Sequence, residues 1–308
     1  MRITTANAFE TSIAQLQRRQ QALTQAQEQM TSGKRVRVAS DDPAAAARAE
    51  RALATVARSE ANQRSLDASR NAMTLSESAL GFAGELMQQA RELIIGAGNA
   101  SLSDAERGNI ALALRGLRND LLTVANRSDG AGRYLFGGQG SDGPPLLDTA
   151  TGVSYVGTPG EQQAAAGEPT PLSVDGNAAW LSTPDPANPG ALLSPFSALD
   201  AVVTGLLTPG QTSAQVSQVV GTALGALDAT AGTLSIWRAR TGEALNRIDG
   251  IESRLSQSKL DAQRDRSNAE DLDLVAAISD VRNQQTGYDA ALQMYSIVQR
   301  MSLFDYLK

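Results

Sequence analysis

Residues Gly138-Gln139-Gly140-Ser141-Asp142-Gly143 spell the glycine pattern that cradles a dinucleotide pyrophosphate. That chemistry needs a helix to open at the pattern, so that free backbone amides face the phosphates. Pro144 and Pro145 follow at once, so the glycines read as a bent, turn-rich segment instead. Asp41 and Asp42 have the types of an acid-base pair. With Pro43 next, an Asp at this place caps the first turn of a helix. Glu270, Asp271 and Asp273 could gather a calcium ion, but they lack the fixed-glycine loop of such sites and read as a helix start matched to its dipole. There is no histidine and no cysteine in 308 residues. Their absence excludes imidazole acid-base chemistry, the usual Ser and Cys triads, disulfides, and nearly all zinc and iron sites. No enzymatic activity, cofactor or metal is expected.

What the residue types can do is assemble. Leu274, Val281, Tyr288 and Tyr295 recur every seven residues, with Ile278, Gln285, Leu292 and Gln299 at the alternate positions. Near the other end Phe9, Leu16, Leu23 and Met30 repeat in the same way, interleaved by Ile13, Gln20 and Gln27. Both are helical seams with glutamine set into them. Either the glutamines face solvent because the seams are short, or they weaken the isolated helix and fix register, so that order comes with assembly. Gln299 aside, these residues form the candidate assembly interface.

The elements that must carry the two seams can be read in order. An amphipathic helix over 4–30 stops at Gly33, and an extended linker runs over 34–40. A second helix from Pro43 to Ile95 carries Leu66, Met73, Leu80, Met87 and Ile94 at heptad spacing, alternating with Asn62, Ser69, Ser76, Ala83 and Ala90. At ~1.5 Å per residue it is a rod of roughly 80 Å. Ser103 and Glu106 have capping-box spacing and launch a third helix from Asp104 to Asn126, closed by a turn at Ser128-Asp129-Gly130. Tyr134-Leu135-Phe136, Val153–Val156 and Pro171–Val174 read as strands, and no helix is expected before Ser197. Helical periodicity then returns with a short helix over 197–207 and with Val220, Leu227, Leu234, Thr241, Ile248 and Leu255 at sevens. Ser267 and Glu270 read as a second capping box that launches the terminal helix.

Composition agrees with helix packing. Aromatics are 4%, which leaves Leu, Val, Ile and Ala to fill the core. Ten of the eleven prolines fall between Pro144 and Pro209, and no Lys or Arg occurs between Tyr134 and Trp237, a stretch with eight acids. No basic patch suits nucleic acid. No apolar run approaches the ~20 residues of a membrane span, and the ~7–15-residue apolar core of a cleaved signal peptide is missing. Composition alone therefore reads as a cytosolic protein without membrane insertion, unless export uses an uncleaved signal. The expected fold is mainly α, an elongated bundle of long coiled-coil helices from both chain ends with a small inserted β-rich domain. Its parts are 1–40 (assembly helix and linker), 41–136 (first half of a helical rod), 137–196 (inserted β or irregular domain), 197–266 (second half of the rod) and 267–308 (terminal assembly helix).

Met30-Thr31-Ser32-Gly33-Lys34-Arg35-Val36, followed by Ser40-Asp41-Asp42-Pro43-Ala44, resembles the N-terminal signature of the bacterial flagellin family. Arg238, Gly242, Asn246 and Arg247, followed by Ser267-Asn268-Ala269-Glu270-Asp271, are similar to its C-terminal counterpart. The resemblance covers 1–136 and 238–308. Within the family, residues 97–103, 128–136 and the ending Met301–Leu307 resemble the branch that joins hook to filament. The resemblance implies a structural subunit, exported unfolded through the flagellar type III apparatus with an export chaperone. It implies assembly as a ring of copies between the first hook-associated protein and the flagellin filament, outside the cell. A flagellin subunit of the filament and a secreted coiled-coil adaptor or effector are the alternatives.

Overall fold

The computed structural model describes residues 2–164 and 167–306, with the side chains of 10–164 and 167–297. The chain forms two compact units, Met1–Ser59 with Gln257–Lys308, and Glu60–Ser256. Its elements are helices α1 (Arg2–Ser32), α2 (Pro43–Ala97), α3 (Asp104–Ala125), α4 (Gly176–Trp180), α5 (Pro195–Leu207), α6 (Ser213–Glu270) and α7 (Leu274–Tyr306), with strands β1 (Leu146–Thr149), β2 (Gly152–Tyr155), β3 (Thr183–Pro184) and β4 (Leu192–Leu193). The fold is mainly α. The strands make two antiparallel pairs, β1 with β2 and β3 with β4.

In the second unit the heptad residues Leu66, Met73, Leu80, Met87 and Ile94 of α2 are all at most 2% exposed. Ser69, Ser76, Ala83 and Ala90 between them are 0% exposed, small enough for a neighbouring helix to close in. Burying each large apolar side chain contributes about 1.5–3 kcal/mol before conformational entropy is subtracted. Helix α6 runs antiparallel to α2, and the phase is fixed by ion pairs at the rim: Arg70 with Asp249 (2.8 Å) and Glu252, Glu77 with Arg238 (2.7 Å), and Arg91 with Asp228 (3.0 Å). One 18-residue window of α6 reaches a mean hydropathy of 1.3, apolar enough to cross a bilayer. That corrects the expectation of no such stretch; glycine, threonine and single polar residues interrupt the run, and the Val, Leu and Ala between them keep its mean apolar. Val220, Leu227 and Leu234 on its apolar side are buried in the protein core.

Helix α3 begins where its capping box predicts: the Ser103 hydroxyl accepts from the Glu106 amide, and the Glu106 carboxylate accepts from the Ser103 amide at 2.7 Å. At its other end Asn126 stands in for a strand, donating to the Leu146 carbonyl (2.8 Å) and accepting from the Leu146 amide (2.9 Å). The segment that follows is held by side chains from outside it. Phe136, Trp180 and Phe196 are fully buried, with Trp180 edge-on to Phe136 (5.3 Å) and stacked on Phe196 (6.0 Å).

Three expectations fail in this segment. Residues 134–136 make no strand: Tyr134 forms a single antiparallel bridge to Ser128, and 135–136 turn at once, with Leu135 buried, Phe136 packed on Trp180 and the backbone bending toward Gly138, whose φ is 64°. Residues 171–174 make only a single bridge, Pro171 to Gln163, since the Pro171 carbonyl accepts from the Ser69 hydroxyl (2.6 Å) and the Ser173 hydroxyl donates to Gly138 (2.5 Å). A one-turn helix, α4, precedes Ser197; Asp175 caps it by accepting from the Ala178 amide at 3.0 Å.

In the first unit α1 packs along α7. Gly33, with φ 69°, ends α1. The 34–40 linker is bent, with Asp41 accepting from the Arg37 and Val38 amides at 3.0 and 3.1 Å. Asp42 is the cap of α2, accepting from the Ala44 and Ala45 amides at 3.1 and 2.9 Å. Those amide bonds hold both carboxyls below the ordinary aspartate value.

Ser267 and Glu270 are not a capping box. Helix α6 runs through both, and Asp273 launches α7 by accepting from the Val275 and Ala276 amides at 3.0 and 3.1 Å. The Glu270 carboxylate is taken instead by Arg266 (2.6 Å) and Lys34 (3.3 Å).

Candidate assembly surface

The spelled glycine motif at 138–143 opens no helix. Gly138 donates to the Val174 carbonyl at 3.2 Å, Gln139 to the Thr158 carbonyl at 2.8 Å and Gly140 to the Gly137 carbonyl at 3.2 Å, so the first three amides of the motif are already spent on backbone. A Cβ at Gly138 would collide with the Thr158 carbonyl. A groove of about 760 Å³ runs between residues 185–188, α5 and α6. Its lining is amide, hydroxyl and alkyl. Asp185 is the sole ionisable group on it, and both of its oxygens are bonded, to the Ala187 amide and the Asn188 side chain. This groove has no acid-base pair.

The terminal seams are where charge, apolar surface and exposure combine. On α7 the stripe divides into two faces. Ala277, Val281, Gln284, Tyr288, Ala291 and Tyr295 are buried or half-buried, spaced four and three apart along α7. Small residues allow the close approach: α1 crosses so near to Gly287 that a Cβ there would meet the Arg19 guanidinium. Leu274 (56% exposed), Ile278 (40%) and Leu292 (40%) lie on the adjacent outward face with Gln285, beside Val275, Met294 and Ile297. Of the residues expected in one seam, Val281, Tyr288 and Tyr295 therefore face α1, and Leu274, Ile278, Gln285 and Leu292 face away from it. Ala277, Gly287 and Ala291 mark the inner face; their small size was the signal available in the sequence.

On α1 the same division holds. Ile13, Leu16 and Leu23 are half-buried and Ala26 is buried, whereas Gln20, Gln27 and Met30 are exposed. The glutamines Gln20, Gln27 and Gln285 thus do not sit between the paired helices. Phe9 belongs to α1 and Gln299 to α7, but their side chains lie outside the described ones, as do the side chains of the ending from Met301 to Leu307.

Arg19 is thirteen residues from the linker end of α1, and Gly287 is thirteen from the linker end of α7. The two helices therefore pair antiparallel with a register measured from their linkers.

Residues 3–141 match the profile of the bacterial flagellin N-terminal helical region. The flagellar hook-associated protein 3 of Salmonella typhimurium is 30% identical over 327 residues, covering 99% of this chain and 99% of that one. The protein of that name in Escherichia coli is 31% identical over 301 residues, 91% of this chain and 92% of that one. Among solved structures, a putative flagellar hook-associated protein from Vibrio parahaemolyticus covers 75% of this chain and all of its own, with a TM-score of 0.67 at 18% identity, a likeness of fold.

Proposed function

The chain belongs to the bacterial flagellin family, in its hook-associated protein 3 branch, and is a structural protein of the flagellum; from that premise we propose that it forms the junction between the first hook-associated protein and the flagellin filament. The observation that carries this reading is the 30% identity to the Salmonella hook-associated protein 3 across 99% of both chains. It is supported by an apolar and amide stripe on α7, Leu274, Ile278, Gln285 and Leu292, left exposed by the pairing with α1. An exposed apolar stripe of this kind marks a surface that a partner covers.

In this reading copies of the chain close into a ring, and residues 9–30 with 274–295 are the surfaces that bring them together. The fold is an elongated bundle of coiled-coil helices from both chain ends. Residues 1–40 and 267–308 serve as assembly segments, 41–136 and 197–266 form a rod, and 137–196 form a small inserted β-rich domain. The subunit leaves the cell by flagellar type III export with an uncleaved signal, after a chaperone has held it, and works outside the cell.

Gold-labelled antibody on isolated flagella tests the assignment. Label confined to the hook-filament boundary is expected, and deletion should release flagellin into the medium. Label along the whole filament would sink the junction role in favour of a filament subunit. Label absent from flagella would favour a secreted adaptor.

A further inference from the structure

The linker after α1 and the linker before α7 finish each other's helices. Helix α6 ends at Glu270, and its last carbonyls have no N–H donor within the helix. The Glu270 carbonyl accepts from the Arg35 amide (2.7 Å) and the Val36 amide (3.3 Å), and the Ala269 carbonyl accepts from the Arg35 guanidinium (2.8 Å). In return the Gly33 carbonyl, just past the end of α1, accepts from the Leu272 amide at 3.0 Å. Lys34 and Asp271 face each other as an antiparallel bridge, and Lys34 reaches the Glu270 carboxylate. The same Arg35 guanidinium holds Asp42, the cap of α2, at 3.2 Å. Val36 is 6% exposed and Glu270 is the largely buried hub, with Arg266 on its other oxygen.

Four helix ends therefore meet at one crossing, and the caps of α6 and α1 come from residues more than two hundred positions away in sequence. We propose that the two linkers form a clasp that is closed in the free subunit and holds the roots of α1 and α7 side by side, so that the terminal helices enter assembly as a tethered pair. Tethering makes the pairing of α1 with α7 a local event rather than the closure of a loop of more than two hundred residues. It also sets their register, since Arg19 and Gly287 stand equally far from the clasp. The clasp does not depend on where in the flagellum the subunit assembles.

Hydrogen exchange at single-amide resolution on the full-length monomer tests this. The amides of Arg35, Val36 and Leu272 should exchange at least about a hundredfold more slowly than in an unstructured chain. Arg35→Met should speed exchange of Leu272 and of the last turn of α6 by about tenfold. Leu272→Pro, which removes the donor to Gly33, should speed Arg35 and Val36 by a similar factor, whereas Leu272→Ala, which keeps it, should leave them unchanged. Unstructured-chain rates at these three amides in the unaltered protein would overturn the proposal. So would effects confined to the substituted linker. Should Leu272→Pro unfold the chain, seen as lost protection at Leu114 and Leu121 in α3, the unaltered protein and Arg35→Met still decide.

Discussion

Arg118 grips Asp148 with both terminal nitrogens of its guanidinium, one at 2.5 Å and the other at 2.7 Å from the two carboxylate oxygens. Arg118 lies on α3 and Asp148 on β1, so the pair ties the proline-rich segment to the helices. The same guanidinium donates to Asp200 of α5 at 3.0 Å and sits 6.0 Å from the Phe196 ring centre. Its side chain is 8% exposed, and each carboxylate is 46% exposed. A stretch without any cation is thus held by arginines outside it: Arg118 takes Asp148 and Asp200, Arg254 takes Glu168, and Arg91 takes Asp228.

Arg118→Met should destabilise the second unit by about 1–3 kcal/mol in urea unfolding, a range set below that of a fully buried pair because water reaches the carboxylates. Asp148→Asn should cost less, about 0.5–1.5 kcal/mol, since Asp200 still holds the guanidinium. An Arg118→Met chain as stable as the parent would show the bridge to be ornamental.

The pH dependence of that bridge has a definite sign. Hydrogen bonding to Arg118 holds the Asp148 carboxyl below its ordinary value of 3.8. Its contribution is therefore fully present above about pH 4 and is lost as the pH falls through the depressed folded value. The stability difference between the parent and Asp148→Asn should be flat from pH 5 to 7 and shrink below about pH 4. A difference that grew on acidification would contradict the assignment.

Gly205 on α5 sets a second test. Replacing a helical glycine by alanine ordinarily stabilises by about 1 kcal/mol. Here a Cβ would lie 2.5 Å from Val219 Cγ1 on α6, and valine has little rotamer freedom to give way. Gly205→Ala should instead cost about 1–3 kcal/mol, and Val219→Ala in the same chain should recover most of it. A stabilised single variant in thermal unfolding would show that the helices part easily.

Much of the helical framework is legible because it is local. Leu66 to Ile94 repeat at sevens and are buried as their spacing predicts. Ser103 and Glu106 cap α3 because a turn precedes them. Ser267 and Glu270 have the same spelling and do not cap, because α6 arrives unbroken and Glu270 is claimed by Lys34 from the far end of the chain. No local rule contains that residue. The strand-like residues 134–136 fail for the converse reason: after one bridge at Tyr134 the chain turns, and the Phe136 ring is taken by an aromatic cluster completed by Trp180 and Phe196. On α7 the large apolar residues suggest one seam, but close packing turns the side with the small residues Ala277, Gly287 and Ala291 toward α1, so Val281, Tyr288 and Tyr295 go inward with them and Leu274, Ile278 and Leu292 are left outside.

Pairing of α1 with α7 is thin. Their contact face offers half-buried Leu16, Leu23, Val281 and Tyr288 and small alanines, little apolar burial to offset the ordering of two long helices. Residues 10–30 and 275–297 should therefore exchange their amides quickly in the free monomer and become protected on assembly, while the clasp at 33–36 and 269–272 stays protected throughout. Strong protection of both helices in a verified monomer would rule this out and place their order before assembly.

The outward stripe separates folding from assembly. Leu274, Ile278 and Leu292 are at least 40% exposed, so the triple change to Ser should move the stability of the free subunit by no more than about 0.5 kcal/mol per site. If a neighbouring subunit covers the stripe, as the proposed ring requires, each lost apolar contact weakens that interface at every copy. The triple variant should then fail to restore filaments in a deletion strain, with flagellin recovered from the medium, although its urea midpoint is close to that of the parent. Val281→Ser with Tyr288→Ser should act differently, because those residues face α1. Their loss should first show as faster exchange along α1. Full filament growth by the Leu274, Ile278 and Leu292 variant would mean that the stripe is bare in the flagellum, and the surface that joins the subunits would have to be sought on the rod helices.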